Sequence, residues 1–80
     1  MLQTILRLPA VISKSGLSRS TLYLRIAQGL WTPPVSLGDR AVGWPDGEVT
    51  ALNAARIAGK SNQEIRILVM KLQAARKAAA

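Results

Sequence analysis

The chain has 80 residues, and 11 lysines and arginines against four acidic residues give it a net charge of +7. It contains no cysteine and no histidine, which excludes disulfides and thiol chemistry and argues against a zinc site. The four carboxylates form no recognisable catalytic set, so we expect no enzyme, no metal and no cofactor. The positive charge favours a polyanionic partner, although it is also compatible with solubility alone.

The length predicts a single folding unit. No apolar run approaches the roughly 20 residues that a membrane span needs. The apolar N-terminal segment is interrupted by Arg7 and Pro9, which is not typical of a secretory signal. We therefore expect a soluble cytoplasmic protein with no membrane partner.

The first half of the chain predicts two short helices after a loose arm of five or six residues. The first helix begins near Leu8 with Pro9 in its first turn, where a missing N–H group costs nothing. It ends at Gly16, which tolerates a positive φ. Ser18 is then the predicted N-cap of a second helix that runs to Gln28.

A hairpin is predicted to follow, because the prolines at 33 and 34 favour extended backbone. Residues 35–37 and 41–44 alternate as strands do, and residues 38–40 form the turn between them. The predicted inward side consists of Val35, Leu37, Val42 and Trp44. We expect Trp31 and Trp44 to pack in the core rather than to stack on bases.

Two further helices complete the prediction. Pro45 opens the third, with Asp46 and Glu48 in its first turn, where acidic residues interact favourably with the helix dipole. It ends near residues 58 and 59. Ser61 and Glu64 form a capping box for a fourth helix that reaches the late seventies.

The fourth helix carries more apolar residues than one core-facing stripe needs. A heptad-like seam is formed by Ile65, Leu68, Leu72, Ala75 and Ala79. A second apolar side is formed by Ile67, Val69 and Met70. Either these residues make one wide stripe, or one side packs on a partner: a second copy in a homodimer, RNA polymerase or an integrase. The basic residues Arg66, Lys71, Arg76 and Lys77 are candidates for additional phosphate contacts.

The pair formed by the first two helices is typical of a helix-turn-helix element. If Leu22 marks the centre of the buried side, helical geometry places Ile26 beside it and directs Ser20, Thr21 and Leu24 outward. Short hydroxyls and arginine are suited to base edges and phosphates. The candidate DNA-binding residues are Lys14, Ser18, Arg19, Ser20, Thr21, Tyr23, Arg25 and Arg40.

Alternatives exist for several of these residues. Ser18 could act only as a cap, and Arg19 and Arg25 could be solvated surface charges. Tyr23 is equally suited to the edge of the core and to a phosphate hydrogen bond. Arg40, at the tip of the hairpin, either reaches an adjacent groove of the DNA or pairs locally with Asp39.

Several motifs resemble, in order and spacing, the AlpA family of prophage regulatory proteins over about residues 5–58. They are Arg7-Leu8-Pro9, Gly16-Leu17-Ser18-Arg19-Ser20-Thr21-Leu22-Tyr23, Pro33-Pro34-Val35-Ser36-Leu37-Gly38, Arg40-Ala41-Val42-Gly43-Trp44 and Glu48-Val49. The resemblance implies a small winged helix-turn-helix related to MerR-like and excisionase DNA-binding domains. It implies that the second helix enters the major groove and that residues 38–40 form the wing. The chain departs from the family at Leu24, where a basic residue often follows the tyrosine.

The predicted fold is therefore mainly α with a small β-hairpin, a winged helix-turn-helix with four helices. Residues 1–60 are the expected DNA-binding domain, and residues 61–80 the helix that packs on it. The expected function is that of a sequence-specific transcriptional regulator of a prophage or mobile element that binds double-stranded DNA. The alternative is a protein-interaction module or excision factor that docks on polymerase or integrase.

Overall fold

The computed structural model describes residues 4–78, which form four helices and a three-stranded antiparallel sheet. The elements in chain order are β1 (Ile5–Leu6), α1 (Leu8–Ser15), α2 (Arg19–Ala27), β2 (Val35–Gly38), β3 (Ala41–Pro45), α3 (Asp46–Ile57) and α4 (Asn62–Ala78). The strand order in the sheet is β1-β3-β2. This arrangement confirms the predicted winged helix-turn-helix.

The turn between α1 and α2 follows the predicted local chemistry. Gly16 has a φ of 73°, and its N–H group donates to the carbonyl of Ile12 at 2.9 Å. Ser18 lies in extended backbone, and its Oγ accepts the N–H of Thr21 at 3.2 Å. One glycine and one serine therefore set the end of α1 and the start of α2.

The predicted loose arm is wrong at Ile5 and Leu6, which form β1. These residues pair with Pro45 and Trp44 of β3, and the N–H of Asp46 donates to the carbonyl of Thr4 at 2.8 Å. A two-residue strand leaves almost no periodic signal, and its partner lies far along the chain. The pairing turns the predicted hairpin into a three-stranded sheet. The first three residues of the predicted arm lie outside the described range.

The inward side of the hairpin was predicted correctly for Val42 and Trp44 and wrongly for Leu37, which is 42% exposed. Val35 is half-buried and pairs with Gly43, so it lies on the face opposite Val42 and Trp44. A Cβ placed on Gly43 would lie 3.1 Å from Cδ1 of Leu37, so Leu37 lies against Gly43 on that same face. Since side chains alternate between the two faces of a strand, the pairing register decided which set points inward.

The hydrophobic core lies between the inner face of the sheet and the helices. Trp31 and Trp44 are both buried, as predicted. The indole N–H of Trp44 donates to the carbonyl of Thr32 at 2.9 Å, so this core side chain also fixes the loop before β2. The core contains Val11, Leu22, Leu30, Trp31, Trp44, Val49, Leu52, Ala55, Ile65 and Val69.

The start of α4 confirms the predicted capping box. The N–H of Ser61 donates to Oε1 of Glu64, and the N–H of Glu64 donates to Oγ of Ser61, both at 3.2 Å. Two helix N–H groups that would otherwise lack partners are thereby satisfied. Ile65 and Val69, on the next turns, are buried in the core.

The apolar residues of α4 divide differently from the prediction. Val69 is buried with the seam residue Ile65, whereas Ile67 and Met70 are 48% and 71% exposed. Ala75, predicted in the seam, is exposed, and the last seam residue lies outside the described range. The core-facing stripe is therefore short, and the second apolar side is narrower than expected.

Arg76 was predicted as a candidate phosphate contact, but its guanidinium group forms hydrogen bonds within the protein instead. Its Nε and Nη2 donate to the two carboxylate oxygens of Glu48 at 2.7 and 2.6 Å, and Nη2 also donates to the carbonyl of Pro33 at 2.8 Å. Glu48 is buried. This bidentate ion pair fastens the last turns of α4 to the start of α3. Within residues 4–78, the helices are too short or too polar to cross a membrane.

Candidate nucleic-acid interface

The α2 helix has one buried side and one open side. Leu22 is completely buried, whereas Arg19 and Ser20 are exposed and Thr21 is half-buried. Leu24 is 56% exposed, in agreement with its predicted outward position. The open side of α2 is formed by Ser20 and Leu24 and flanked by Thr21, and Arg19 is exposed beside it in the first turn.

A cluster of hydroxyl groups occupies the start of α2. Ser18 donates to Oγ1 of Thr21 at 2.9 Å while accepting the Thr21 N–H, and its Oγ lies 3.4 Å from Oγ of Ser20. The capping role of Ser18 is confirmed. Because Ser18 supplies its proton within the cluster, the hydroxyl of Thr21 keeps its own proton for an outside acceptor.

Tyr23 lies at the edge of the core. Its ring meets the ring of Trp44 edge to face, with centroids 6.5 Å apart and an angle of 71° between planes, and 38% of the residue is exposed. This packing sets the position of the aromatic ring against the sheet. A phosphate hydrogen bond from its hydroxyl remains a prediction.

Three of the candidate arginines lack an acidic partner. In residues 4–78 the ion pairs are Lys14–Asp46, Lys60–Glu64 and Arg76–Glu48, so Arg19, Arg25 and Arg40 take part in none. Arg40 is exposed at the hairpin tip. The alternative in which it pairs with Asp39 is not found in this part of the chain.

Lys14 differs from the other candidates because it has a structural partner. Its Nζ lies 3.2 Å from Oδ1 of Asp46, and its carbonyl accepts Nδ2 of Asn53 at 3.0 Å. These contacts join the end of α1 to α3. With about half of its side chain exposed, Lys14 keeps access to solvent, and a role in DNA binding remains a prediction.

Two arginines, Arg56 and Arg66, converge on the C-terminal end of α2, and sequence reasoning named Arg66 only as a candidate phosphate contact and did not single out Arg56. Arg66 of α4 donates from Nε to the carbonyl of Gln28 at 2.9 Å. Arg56 of α3 donates from Nη1 to Oδ1 of Asn62 at 3.3 Å. Partial burial, and then the positive charge of Arg25, lower the pKa of Arg56. Since these residues lie on three helices, no spacing in the sequence could reveal their proximity.

The candidate interface thus combines the hydroxyl groups at the start of α2 with three guanidinium groups that form no ion pair within residues 4–78. These groups belong to Arg19, Arg25 and Arg40. Guanidinium forks match phosphate oxygens and the acceptor edge of guanine. Such groups are suited to holding and orienting a polyanion.

Comparison with known proteins identifies the family of the chain. The family model described as prophage CP4-57 regulatory protein (AlpA) matches residues 4–57. An uncharacterized protein, ORF88 of Enterobacteria phage P4, is 50% identical over 58 residues, which cover 72% of this chain and 66% of that protein. The chain therefore matches just under two thirds of that relative's length. No solved structure matches. With the family model covering more than half of its residues, this winged helix-turn-helix chain belongs to the AlpA family of prophage regulatory proteins.

Proposed function

We propose that this protein is a transcriptional regulator that binds double-stranded DNA at specific sequences through α2. The observation that carries the proposal is the open side of α2, where Ser20 is exposed opposite the fully buried Leu22 and Arg19 is exposed in the first turn. Membership in a prophage regulatory family and the net charge of +7 support the same function.

In this proposal the N-terminal half of α2 lies in the major groove. Arg19 pairs with the O6 and N7 acceptors of a guanine, and Leu24 contacts a thymine methyl group. Ser20 and Thr21 bind base edges or phosphate, and the free N–H groups at the helix start favour phosphate. Arg40 enters the neighbouring minor groove or contacts its backbone.

The test is selection of bound sites from random duplex DNA, followed by titration of the selected site. Replacing Arg19 by alanine should weaken binding about 5- to 150-fold and relax the choice at one base pair, since a bidentate base contact contributes about 1–3 kcal/mol. Arg7→Ala is the matched control, because it removes one exposed charge that lies before α1 and outside α2. Recovery of no sequence motif would overturn the proposal.

The position of the selected site separates two versions of this function. A site at a promoter supports transcriptional regulation, whereas a site at the recombination sequence of an integrase supports an excision factor. Either role requires access to the chromosome, so we propose a cytoplasmic location. We assign DNA binding to residues 1–60 and a supporting and partner-binding role to residues 61–80.

A second role is proposed for the exposed apolar residues Ile57, Ile67 and Met70. Ile57 and Met70 are 87% and 71% exposed. Ile67 lines a shallow groove of about 280 Å³, and the other residues that line it are Ala55, Lys60, Glu64, Leu68 and Lys71. This rim contains both positive and negative charges, which a two-fold related copy could pair. We propose a second copy of the chain as the occupant, and thus a dimer that reads two half-sites.

Sedimentation velocity tests the dimer. Met70→Glu should dissociate it, whereas Leu37→Glu, an exposed apolar residue on the sheet, should not. A monomer at all concentrations would refute the dimer. In that case, capture of purified polymerase or integrase by the wild-type chain but not by Met70→Glu would assign the face to a protein partner.

A further inference from the structure

We propose that Arg25 and Arg56 together bind one phosphate of the DNA backbone at the C-terminal end of α2. The proposal rests on the proposed DNA binding and adds to it a second helix, α3, that contacts the duplex. No spacing in the sequence pointed to Arg56.

The geometry follows from a series of contacts that joins the two arginines. Arg25 and Gln28 are three residues apart and therefore neighbours on one side of α2. The carbonyl of Gln28 accepts Nε of Arg66 at 2.9 Å. Arg66 and Asn62 are four apart and neighbours on α4. Oδ1 of Asn62 accepts Nη1 of Arg56 at 3.3 Å, which brings the end of α3 back toward the end of α2.

The side chain of Arg66 packs along this junction. Its aliphatic carbons would lie 3.7–3.9 Å from a Cβ at Gly29, so its stem runs directly over the residue that follows α2. Its Nε is used by the carbonyl of Gln28. Arg66 therefore holds the helix ends together, and Arg25 and Arg56 are the arginines left for a ligand.

The charges at this junction are not balanced by acids of the described chain. Arg25 and Arg56 take part in none of the ion pairs formed within residues 4–78. The nearest acid along α4, Glu64, caps its own helix through Ser61 and pairs with Lys60 at 3.8 Å. The pKa of Arg56 is lowered first by its partial burial and then by the positive charge of Arg25. An anion bound between the guanidinium groups would convert this repulsion into attraction.

DNA phosphate is the anion that fits. A planar guanidinium donates to two phosphate oxygens at once, and two such groups neutralise the single negative charge of a backbone phosphate from two sides. Arg25 lies in the last turn of α2. When the start of a recognition helix reads base edges, its far end lies beside the sugar-phosphate backbone, as in homeodomains. The structural alternative is that both arginines only interact with the negative ends of the helix dipoles.

The experiment measures binding of the selected duplex by fluorescence anisotropy over a series of salt concentrations. Arg25→Gln and Arg56→Gln should each weaken binding roughly 5- to 10-fold and lower the salt slope by about 1. The double variant should lose less than the product of the two single losses, because both residues bind the same phosphate. Arg56→Lys should keep the slope and lose part of the affinity.

Arg7→Gln is the matched control, since Arg7 is exposed, precedes α1 and takes part in none of the ion pairs within residues 4–78. Melting of the free protein provides a second measurement. Arg56→Gln should leave the melting temperature unchanged or raise it, since it removes a like-charge repulsion. A lower melting temperature with DNA affinity equal to that of Arg7→Gln would establish the helix-dipole role and overturn the proposal.

The outcomes also separate this proposal from the function on which it rests. If Arg19→Ala weakens binding to a selected site while Arg56→Gln behaves like the control, only the phosphate site is refuted. If no site is selected and none of the arginine variants changes binding to any duplex, DNA recognition itself is refuted.

Discussion

The buried ion pair between Glu48 and Arg76 gives the sharpest stability prediction. Replacing Arg76 by methionine keeps much of the aliphatic volume but removes three hydrogen bonds, two to Glu48 and one to the carbonyl of Pro33. The Glu48 side chain is only 6% exposed, so water cannot readily replace the lost partner. The carboxylate would be left as an uncompensated buried charge.

The expected cost is about 3–5 kcal/mol, as found when one partner of a buried ion pair is removed. A domain of this length has a total stability of roughly 4–12 kcal/mol. Arg76→Met should therefore remove a large share of the unfolding free energy and free the end of α4 from α3. The pair itself contributes much less than this cost, because both charges had to leave water on folding.

Urea unfolding followed by tryptophan fluorescence measures the change, because Trp31 and Trp44 are buried. The companion variants are Glu48→Met and the double variant Glu48→Met/Arg76→Met. The double variant should be more stable than Arg76→Met alone, since it leaves no buried charge unpaired. A loss below about 1 kcal/mol for Arg76→Met, or a double variant less stable than the single one, would refute this reasoning.

Three further predictions concern single residues. Gly43→Ala should lower the unfolding free energy by about 1–3 kcal/mol, because its Cβ would lie 2.9 Å from the backbone oxygen of Leu6; unchanged urea unfolding would contradict this. Thr32→Val should raise the melting temperature, since the buried Oγ1 of Thr32 has no hydrogen-bond partner among residues 4–78 and valine has the same shape; a lower melting temperature would count against it. Hydrogen bonds with Ser61 lower the pKa of Glu64 from its ordinary value of 4.5. The resulting stability is present above that value and lost as the pH falls through the lowered pKa, so acid titration of Glu64→Gln should show a shallower loss than the wild type.

Features governed by neighbouring residues were predictable from the sequence. Gly16 and Ser18 set the α1–α2 turn, and Ser61 and Glu64 set the start of α4. Each uses backbone conformation or hydrogen bonds within a few residues. The open side of α2 was predictable for the same reason, since helical periodicity fixes which residues share a side with Leu22.

The sequence by itself therefore determined the helices, their caps, the hairpin turn and the outward residues of α2, because local spacing and backbone preference carry that information. Only the tertiary structure decided that Ile5 and Leu6 form a strand, because their partners in β3 are distant in the chain. The same is true of the pairing of Arg76 with Glu48 and of the convergence of Arg56 on the end of α2. Hydrogen bonds and charges act over a few ångströms in space, and residues far apart along the chain become neighbours only after the core has packed.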